Sequence, residues 1–359
     1  MPLQYPDFPD LNDSNGRPLP SLDDIQLDPD GRRVWPLLLS AEQAILRSQR
    51  RPTAESRNTL VAIRVVGWML IDFRTYGMSA AYVGLRDAAV KCLNVDVQLE
   101  PGHPSEVAKQ YQKVIELGLL IRNFLTRGFR SVTDPTLEST SDSDVSRPSF
   151  EQRQADFLTR LKDEKGSQGR TYAEAKADAL FRDGYRCVVT GRYDQYSYQT
   201  IREVKAEVNS KSAYIVDTQL AHIFTGTAQN EYASEALSLL KMFGMDSLAE
   251  KLLWSQAMFN IMTLHPSIHW DWDDLMFWFE PVPGQEHTYK LIPRDPNSWL
   301  RSEPQRPQQV TFRVDPRAAQ YCEDNQIDPK EIELPHPSLL ALRAACTRVA
   351  NMSGVVFVQ

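Results

Sequence analysis

The most constraining feature of the sequence is the stretch 181–282, which begins with FRDGYRCVVTGRYD and ends with AMFNIMTLHPSIHWDWDDLMFWFEPV. Within it, His222 on a predicted extended segment is followed by Asn260 and then by His269, which opens an aromatic and acidic helix-like run. Asp273 lies four residues after His269, so a helix places both side chains on one face. The order of these polar residues predicts a site built from strand and helix.

This order resembles the HNH family of ββα-metal nucleases, in particular its fungal branch. The resemblance rests on RDGYRCVVTG at the end of a predicted helix, on the tripeptide AHI, and on the spacing from Asn260 to His269 and Asp273. It covers the middle third of the chain. It implies an α+β fold, mostly helical, in which an N-terminal helical region precedes a divergent HNH-like ββα module with a helical insertion and a C-terminal helix.

The resemblance also implies roles for individual residues. In nucleases of this family the strand histidine is a general base, and the helix histidine helps to hold one divalent metal ion. Carried over by position, His222 is the base, and Asn260 orients its ring through a backbone or side-chain contact. His269 and Asp273 are the ligands of a Mg²⁺, Mn²⁺ or Zn²⁺ ion, and the substrate is DNA.

The residue before the candidate base departs from the family pattern. Many nucleases of this type have a metal ligand there, whereas this chain has Ala221, although some relatives also carry alanine. An alanine side chain cannot bind an ion, so two protein ligands remain. Asp271, Asp274 and His265 are the alternatives that could replace the missing one.

The four cysteines are scattered along the chain and predict neither a disulfide framework nor a paired CxxC zinc motif. Cys187 is followed at the spacing of a second ligand by Thr190, so we expect no structural zinc. The cysteine usage predicts an intracellular protein, cytoplasmic or, for a nuclease, nuclear. The longest apolar run, 60–71, is shorter than the roughly 20 residues needed to cross a membrane, and we expect no membrane partner.

Charge is distributed unevenly along the chain, whose formal net charge is −7. Residues 221–282 contain eight acidic and two basic side chains, whereas residues 41–131 contain thirteen basic and eight acidic ones. Because Lys and Arg supply most non-specific affinity for phosphates, the acidic balance around the motif disfavours a nuclease. A nuclease would have to bind DNA through its N-terminal helices.

The aromatic residues next to the motif favour a function from another class. Trp270, Trp272 and Trp278 are predicted to form a substrate-binding wall for a bulky apolar metabolite, although aromatic side chains are more often part of a core. His222 or His269 would donate a hydrogen bond to a polarised carbonyl. Orienting a flexible substrate in this way can contribute about 7–11 kcal/mol to catalysis.

On this interpretation the HNH-like fold is repurposed in fungal secondary metabolism. The protein would be a cofactor-independent cyclase that promotes, for example, a pericyclic or Diels-Alder-type ring closure. The alanine, the acidic balance and the missing zinc motif place the cyclase slightly ahead of the metal-dependent endonuclease. A binding protein without catalysis is a third alternative, and the sequence does not indicate an oligomeric state.

Composition and apolar spacing also predict the domain organisation. We expect an irregular arm over 1–36, a domain of three to five helices over 37–131, a flexible linker over 132–151, the HNH-like module over 152–283, and a C-terminal extension over 284–359 that packs on the module. The linker prediction rests on its Ser, Thr, Asp and Pro content.

Within the module, a capping box from Thr171 to Glu174 predicts the start of a helix that ends at Gly184. CVVTG is predicted to be a strand and residues 192–211 a polar loop, while residues 233–257 are predicted to be a helical insertion. In the C-terminal extension we expect a last helix that runs to about Met352.

Overall fold

The computed structural model describes residues 16–48, 53–93, 111–129, 150–162, 170–225, 233–252, 256–295 and 307–355. The fold is mostly helical with a few small sheets, which confirms the predicted α+β class. The described helices are α1 (Pro29–Ser48), α2 (Ala54–Thr75), α3 (Ser79–Val90), α4 (Gln112–Gly128), α5 (Phe150–Lys162), α6 (Tyr172–Arg182), α7 (Gln195–Thr200), α8 (Arg202–Lys211), α9 (Ala233–Met242), α10 (Asp246–Lys251), α11 (Pro266–Asp273), α12 (Pro316–Asp324) and α13 (Pro337–Ser353). The described strands are β1 (Tyr193–Asp194), β2 (Ile215–Val216), β3 (Gln219–His222), β4 (Ile261–Leu264), β5 (Phe277–Pro281), β6 (Thr288–Pro293) and β7 (Gln309–Thr311).

The chain forms two compact units. The first contains Met1–Gly128, Gln229–Glu250 and Ala345–Gln359, and the second contains Phe129–Ala228 and Lys251–Ala344. This division differs from the predicted one, because α9 and α10 belong to the first unit although they interrupt the predicted module in sequence. The end of the C-terminal extension also belongs to the first unit.

The first unit is built around α2. Every residue of α2 from Leu60 to Phe73 is buried, and the helix packs against α1, α3 and α4. Four helices lie in the described part of residues 29–128, in agreement with the predicted three to five. Helix α9 packs against α3 and α4. A core helix buried on all sides, together with its neighbours, supplies the apolar burial that stabilises this unit.

The predicted irregular arm is wrong for residues 29–36, which form the first turns of α1. Asp28 accepts a hydrogen bond from the Gly31 amide at 2.8 Å, and Pro29 occupies the first helical position. An aspartate followed by proline is a strong helix start, because proline has no amide hydrogen to leave unpaired there. The proline therefore begins a helix rather than breaking one.

The core of the second unit is a cluster of buried side chains from α5, α6, α8, α12, β3 and β4. The predicted capping box is confirmed, since the Thr171 side chain accepts from the Glu174 amide and the Glu174 side chain accepts from the Thr171 amide. Helix α6 ends at Arg182, and Gly184 follows with φ 73°, a left-handed conformation that glycine adopts at low cost.

Two local predictions in the second unit are wrong. CVVTG forms a tight turn rather than a strand, closed by a hydrogen bond from the Gly191 amide to the Cys187 carbonyl at 2.9 Å. Residues 192–211 form β1, α7 and α8 rather than a polar loop. Asp194 caps α7 by accepting from the Ser197 amide at 2.8 Å. A polar side chain in this segment thus pairs an amide that the first turn of a helix leaves without a backbone partner.

The aromatic run after His269 is helical only as far as Asp273. Leu275 then adopts φ 56°, and the chain continues into β5, the first strand of the antiparallel sheet β5-β6-β7. The predicted last helix is confirmed as α13, and Gly354 follows it with φ 87°.

Most of the predicted linker, residues 132–149, lies outside the described residues, and Phe150 already begins α5. The described part of the predicted helical insertion contains two helices, α9 and α10, separated by Gly244, whose φ is 72°. Among the described helices, none combines the length and apolar character that crossing a membrane requires.

Candidate functional site

The candidate site is carried by a short hairpin and the helix after it. Strand β3 pairs with β4 in antiparallel register, with His222 opposite Ile261. Helix α11 begins two residues after β4, where Pro266 is at the first helical position and His265 accepts a hydrogen bond from the Ser267 amide at 3.1 Å. The order of elements is therefore strand, strand, helix.

A buried arginine fixes the second strand of this hairpin. Arg182 is fully buried and donates to the carbonyls of Met258 and Ile261 at 2.7 and 2.8 Å. Its neighbour Asp183 pairs with it and accepts from the Thr263 amide at 2.9 Å. The dipeptide at the start of RDGYRCVVTG thus positions β4 through backbone hydrogen bonds.

Asn260 fixes the chain that leaves the first strand. Its Oδ1 accepts from the Phe224 amide at 2.9 Å, and its Nδ2 donates to the Phe224 carbonyl at 2.8 Å. The side chain is fully buried, so this paired contact satisfies an amide that water cannot reach. Asn260 therefore acts on the backbone two residues beyond His222; its predicted catalytic role stays a prediction.

The backbone at His222 is also held from α11. Trp272 donates from Nε1 to the His222 carbonyl at 3.0 Å. Arg343 lies 3.8 Å from the centre of the Trp272 ring and donates to the carbonyls of Ile223 and Trp272. These contacts couple the strand that carries one histidine to the helix that carries the other.

The His222 ring is partly exposed and neutral at physiological pH. Burial lowers its pKa from 6.5 to about 4; a hydrogen bond with Gln256 raises it and the nearby His269 lowers it further. Its Nε2 lies 3.2 Å from Oε1 of Gln256. A neutral imidazole keeps a lone pair on one ring nitrogen and can accept a proton.

His269 and Asp273 form a pair of potential metal ligands on α11. Nε2 of His269 lies 3.5 Å from Oδ2 of Asp273, and the two side chains are 15% and 21% exposed. Donor atoms at this separation can each lie about 2 Å from one shared ion. The other ring nitrogen of His269, Nδ1, lies 2.9 Å from Oε1 of Gln219. A second hydrogen bond of this kind is what orients histidine ligands in metal sites.

The described residues contain no group of three or more His, Cys, Asp or Glu side chains placed to hold a metal ion. Ala221 is fully buried and pairs with Met262 in the hairpin. Of the alternative ligands, His265 uses Nδ1 to cap α11, and Asp274 is exposed at the end of that helix. His269 and Asp273 thus remain the donor pair, and such a pair suits an ion that keeps several water ligands, as Mg²⁺ does.

The three tryptophans do not form the predicted substrate-binding wall. Trp270 is 75% exposed, whereas Trp272 and Trp278 are 1% and 2% exposed. Trp272 packs against Phe277 and Phe279, with ring centres 5.3 Å from each. Since side chains alternate along a strand, Trp278 lies on the opposite face of β5 from those two phenylalanines. Burial in two separate environments leaves only Trp270 accessible to a ligand.

Cys187 lies in the turn that precedes the hairpin and supports it. The thiol is buried, which raises its pKa, and the Thr190 amide donates to Sγ at 3.3 Å. The next amide, that of Val188, donates to the Thr263 carbonyl at 3.0 Å. All four cysteines of the chain are free thiols.

Searches against protein-family models, curated proteins and solved structures found no match to this chain. The resemblance to HNH nucleases therefore rests on its own residues and their arrangement.

Sequence reasoning missed Gln219, Gln256 and Arg343, which contact the candidate site. Gln219 is three residues before His222, and its place on a strand of the motif was a usable signal. Gln256 and Arg343 are 34 and 120 residues from their partners, so only the folded chain brings them there.

Proposed function

We propose that the chain is a divergent HNH-type endonuclease that hydrolyses phosphodiester bonds in DNA with one divalent metal ion. The observation that carries this proposal is the placement of two groups by one hairpin and one helix. Neutral His222 lies on β3, and the His269–Asp273 donor pair lies on α11. A base and an ion are the two groups that such hydrolysis needs.

His222 would accept a proton from the attacking water. Its lowered pKa keeps the ring unprotonated at neutral pH but also makes it a weaker proton acceptor than an imidazole whose pKa lies near 7. Asn260 and Trp272 hold the backbone at and just after this residue, by bonding Phe224 and the His222 carbonyl. A base held at a fixed place contributes orientation as well as proton transfer.

His269 and Asp273 would hold the ion, with Gln219 orienting the His269 ring. When bound, Mg²⁺, Mn²⁺ or Zn²⁺ would stabilise the negative charge that develops on the phosphate and on the leaving oxygen. It would also offset the acidic balance around α11, where Asp271 and Asp274 lie beside the pair.

A cofactor-independent cyclase is the second candidate, with an apolar small molecule as substrate. One observation favours it: the described residues offer an ion only two side-chain ligands. We place it second because Trp272 and Trp278 are core residues, which removes the wall that would bind the substrate.

The deciding experiment is digestion of plasmid and single-stranded DNA by the purified protein with Mg²⁺, Mn²⁺ or Zn²⁺. We expect cleavage that a chelator abolishes and that falls at least 100-fold in His222→Ala, the lower end of what general-base catalysis contributes. Asp273→Asn should lose activity at low ion concentration, whereas Asp274→Asn is the matched control one residue along and should keep it. A folded protein that cleaves with none of the three ions would overturn the nuclease and leave the cyclase.

A further inference from the structure

Two glutamines contact the two histidines of the candidate site, and they do so at opposite ring nitrogens. Oε1 of Gln256 lies 3.2 Å from Nε2 of His222, whereas Oε1 of Gln219 lies 2.9 Å from Nδ1 of His269. The chemistry of the two contacts is the same, so the difference lies in which edge of each ring is bound.

An amide oxygen can only accept a hydrogen bond, and a neutral imidazole has a single N–H. The proton of His222 is therefore on Nε2, which leaves the lone pair on Nδ1. By the same argument, a neutral His269 carries its proton on Nδ1, where Gln219 accepts it, and has its lone pair on Nε2.

Both glutamines are held by backbone contacts that do not depend on the histidines. Gln219 is the first residue of β3 and pairs with Leu264. The carbonyl of Gln256 accepts from Nη1 of Arg170 at 3.2 Å. The Arg170 side chain is 6% exposed and lies 3.1 Å from the buried Asp178 carboxylate, which fixes it in turn.

We propose that Gln256 and Gln219 are positioning residues that hold His222 and His269 in opposite tautomers. His222 then presents Nδ1 as the proton acceptor, and His269 presents Nε2, beside Asp273, as the metal donor. The assignment of tautomers stands on the hydrogen bonds alone, whereas the assignment of roles rests on the proposed function.

Imidazole ¹⁵N NMR at pH 7.5, without added metal, tests the tautomers directly, with His222→Ala and His269→Ala used to assign the signals. In the unmodified chain we expect the proton on Nε2 of His222 and on Nδ1 of His269. Gln256→Glu keeps an acceptor, so the His222 proton should stay on Nε2. Gln256→Lys offers only donors, so this proton should move to Nδ1. Gln219→Leu should release the His269 proton to Nε2 and leave His222 unchanged, which makes it the matched control.

Two NMR results would overturn the tautomer assignment: both rings protonated on the same type of nitrogen in the unmodified chain, or a His222 tautomer that is the same in Gln256→Glu and Gln256→Lys. Neither result depends on whether the protein cleaves DNA. Failure of the nuclease assay with the expected tautomers would instead remove only the proposed function.

The roles are tested by a crossed pair of variants in the folded protein. Gln219→Leu should weaken Mn²⁺ binding, measured by calorimetry, by about 10- to 100-fold, the usual effect of losing a residue that orients a metal ligand. Gln256→Leu should leave Mn²⁺ affinity within about twofold and lower kcat with little change in KM. Equal losses of Mn²⁺ affinity in both variants would contradict the division of roles.

Discussion

The helix α2 and the hairpin β3-β4 are both buried, but they are held by different forces. Helix α2 has an unbroken run of buried residues from Leu60 to Phe73, so apolar packing positions it. The hairpin has two strands of four residues and is positioned by side chains that bond its backbone, chiefly those of Arg182 and Asn260. Apolar packing is non-directional, whereas hydrogen bonds fix a distance and an angle. A short hairpin therefore depends on directional contacts for its position, whereas a long core helix adds its buried ion pairs, such as Asp72 with Arg348, to extensive apolar packing.

The largest effect that would test this comparison is removal of the arginine under the hairpin. Arg182→Met should lower the free energy of unfolding by about 3–5 kcal/mol, because it leaves Asp183 as an uncompensated buried charge and removes hydrogen bonds to three backbone carbonyls. Urea unfolding measures this. Lys176→Met, on the same helix but partly exposed, is the control and should change stability by less than about 0.5 kcal/mol. A loss below 1 kcal/mol in Arg182→Met would mean that packing alone holds the hairpin.

The lowered pKa of the partly buried His222 ring should make stability depend on pH. Its pKa is about 4 in the folded chain against 6.5 for the ordinary side chain. The unfolded state therefore binds more protons between these values, and stability rises with pH there. Above pH 6.5 the ring is neutral in both states and does not lower stability. As the pH falls toward 4, up to about 3 kcal/mol of the free energy of unfolding is lost, at 1.36 kcal/mol per pKa unit. Urea unfolding between pH 4 and 7 should show the parent losing stability relative to His222→Gln on acidification; a difference that stays constant with pH would exclude this origin.

Removing the amide that pairs with Phe224 should have a smaller effect. Asn260→Ala leaves the buried amide and carbonyl of Phe224 without their partner, at a cost of about 1–3 kcal/mol. Hydrogen exchange of the Phe224 amide should accelerate at the same time. Asn325→Ala removes a similar side-chain contact, to the Tyr321 carbonyl, from an exposed helix end and should be near neutral. Unchanged exchange at Phe224 would show that the turn after β3 does not need the asparagine.

The smallest effect is expected from a double substitution in the helical unit. Asp72 and Arg348 form a buried pair with bonds of 2.7 and 2.8 Å. Asp72→Leu combined with Arg348→Met replaces the pair by apolar side chains, which is often neutral or stabilising, whereas Arg348→Met alone should cost about 3–5 kcal/mol. Thermal unfolding compares the two. A double variant as unstable as the single one would show that this unit also depends on directional contacts.

The parts of the fold that the sequence predicted are those with local signals. The capping box at Thr171, the apolar spacing of α2 and the glycine after α13 depend on residues within a few positions of one another. The errors have local causes too, since Pro29 begins α1 where proline was taken as part of an irregular arm. The sheet β5-β6-β7 was not predicted because the aromatic residues of β5 continue directly from a helical pattern.

The candidate site was predictable only where residue type and order carried the information. His269 and Asp273 lie on one face of α11, as their spacing of four residues implied, but Gln256 and Arg343 reach the site through long-range contacts. Burial of Trp278 could not be distinguished from ligand binding, because a core and an apolar pocket require the same side chains.

The hydrogen bond from Trp272 to the carbonyl of His222 has a consequence for how the site moves. Because strand and helix are joined at this indole, a displacement of α11 carries β3 with it, and the two histidine rings are expected to travel as one body. The gap between them then stays constant as the protein fluctuates. A substrate would then be selected by whether its reacting group fits the fixed distance between the two rings.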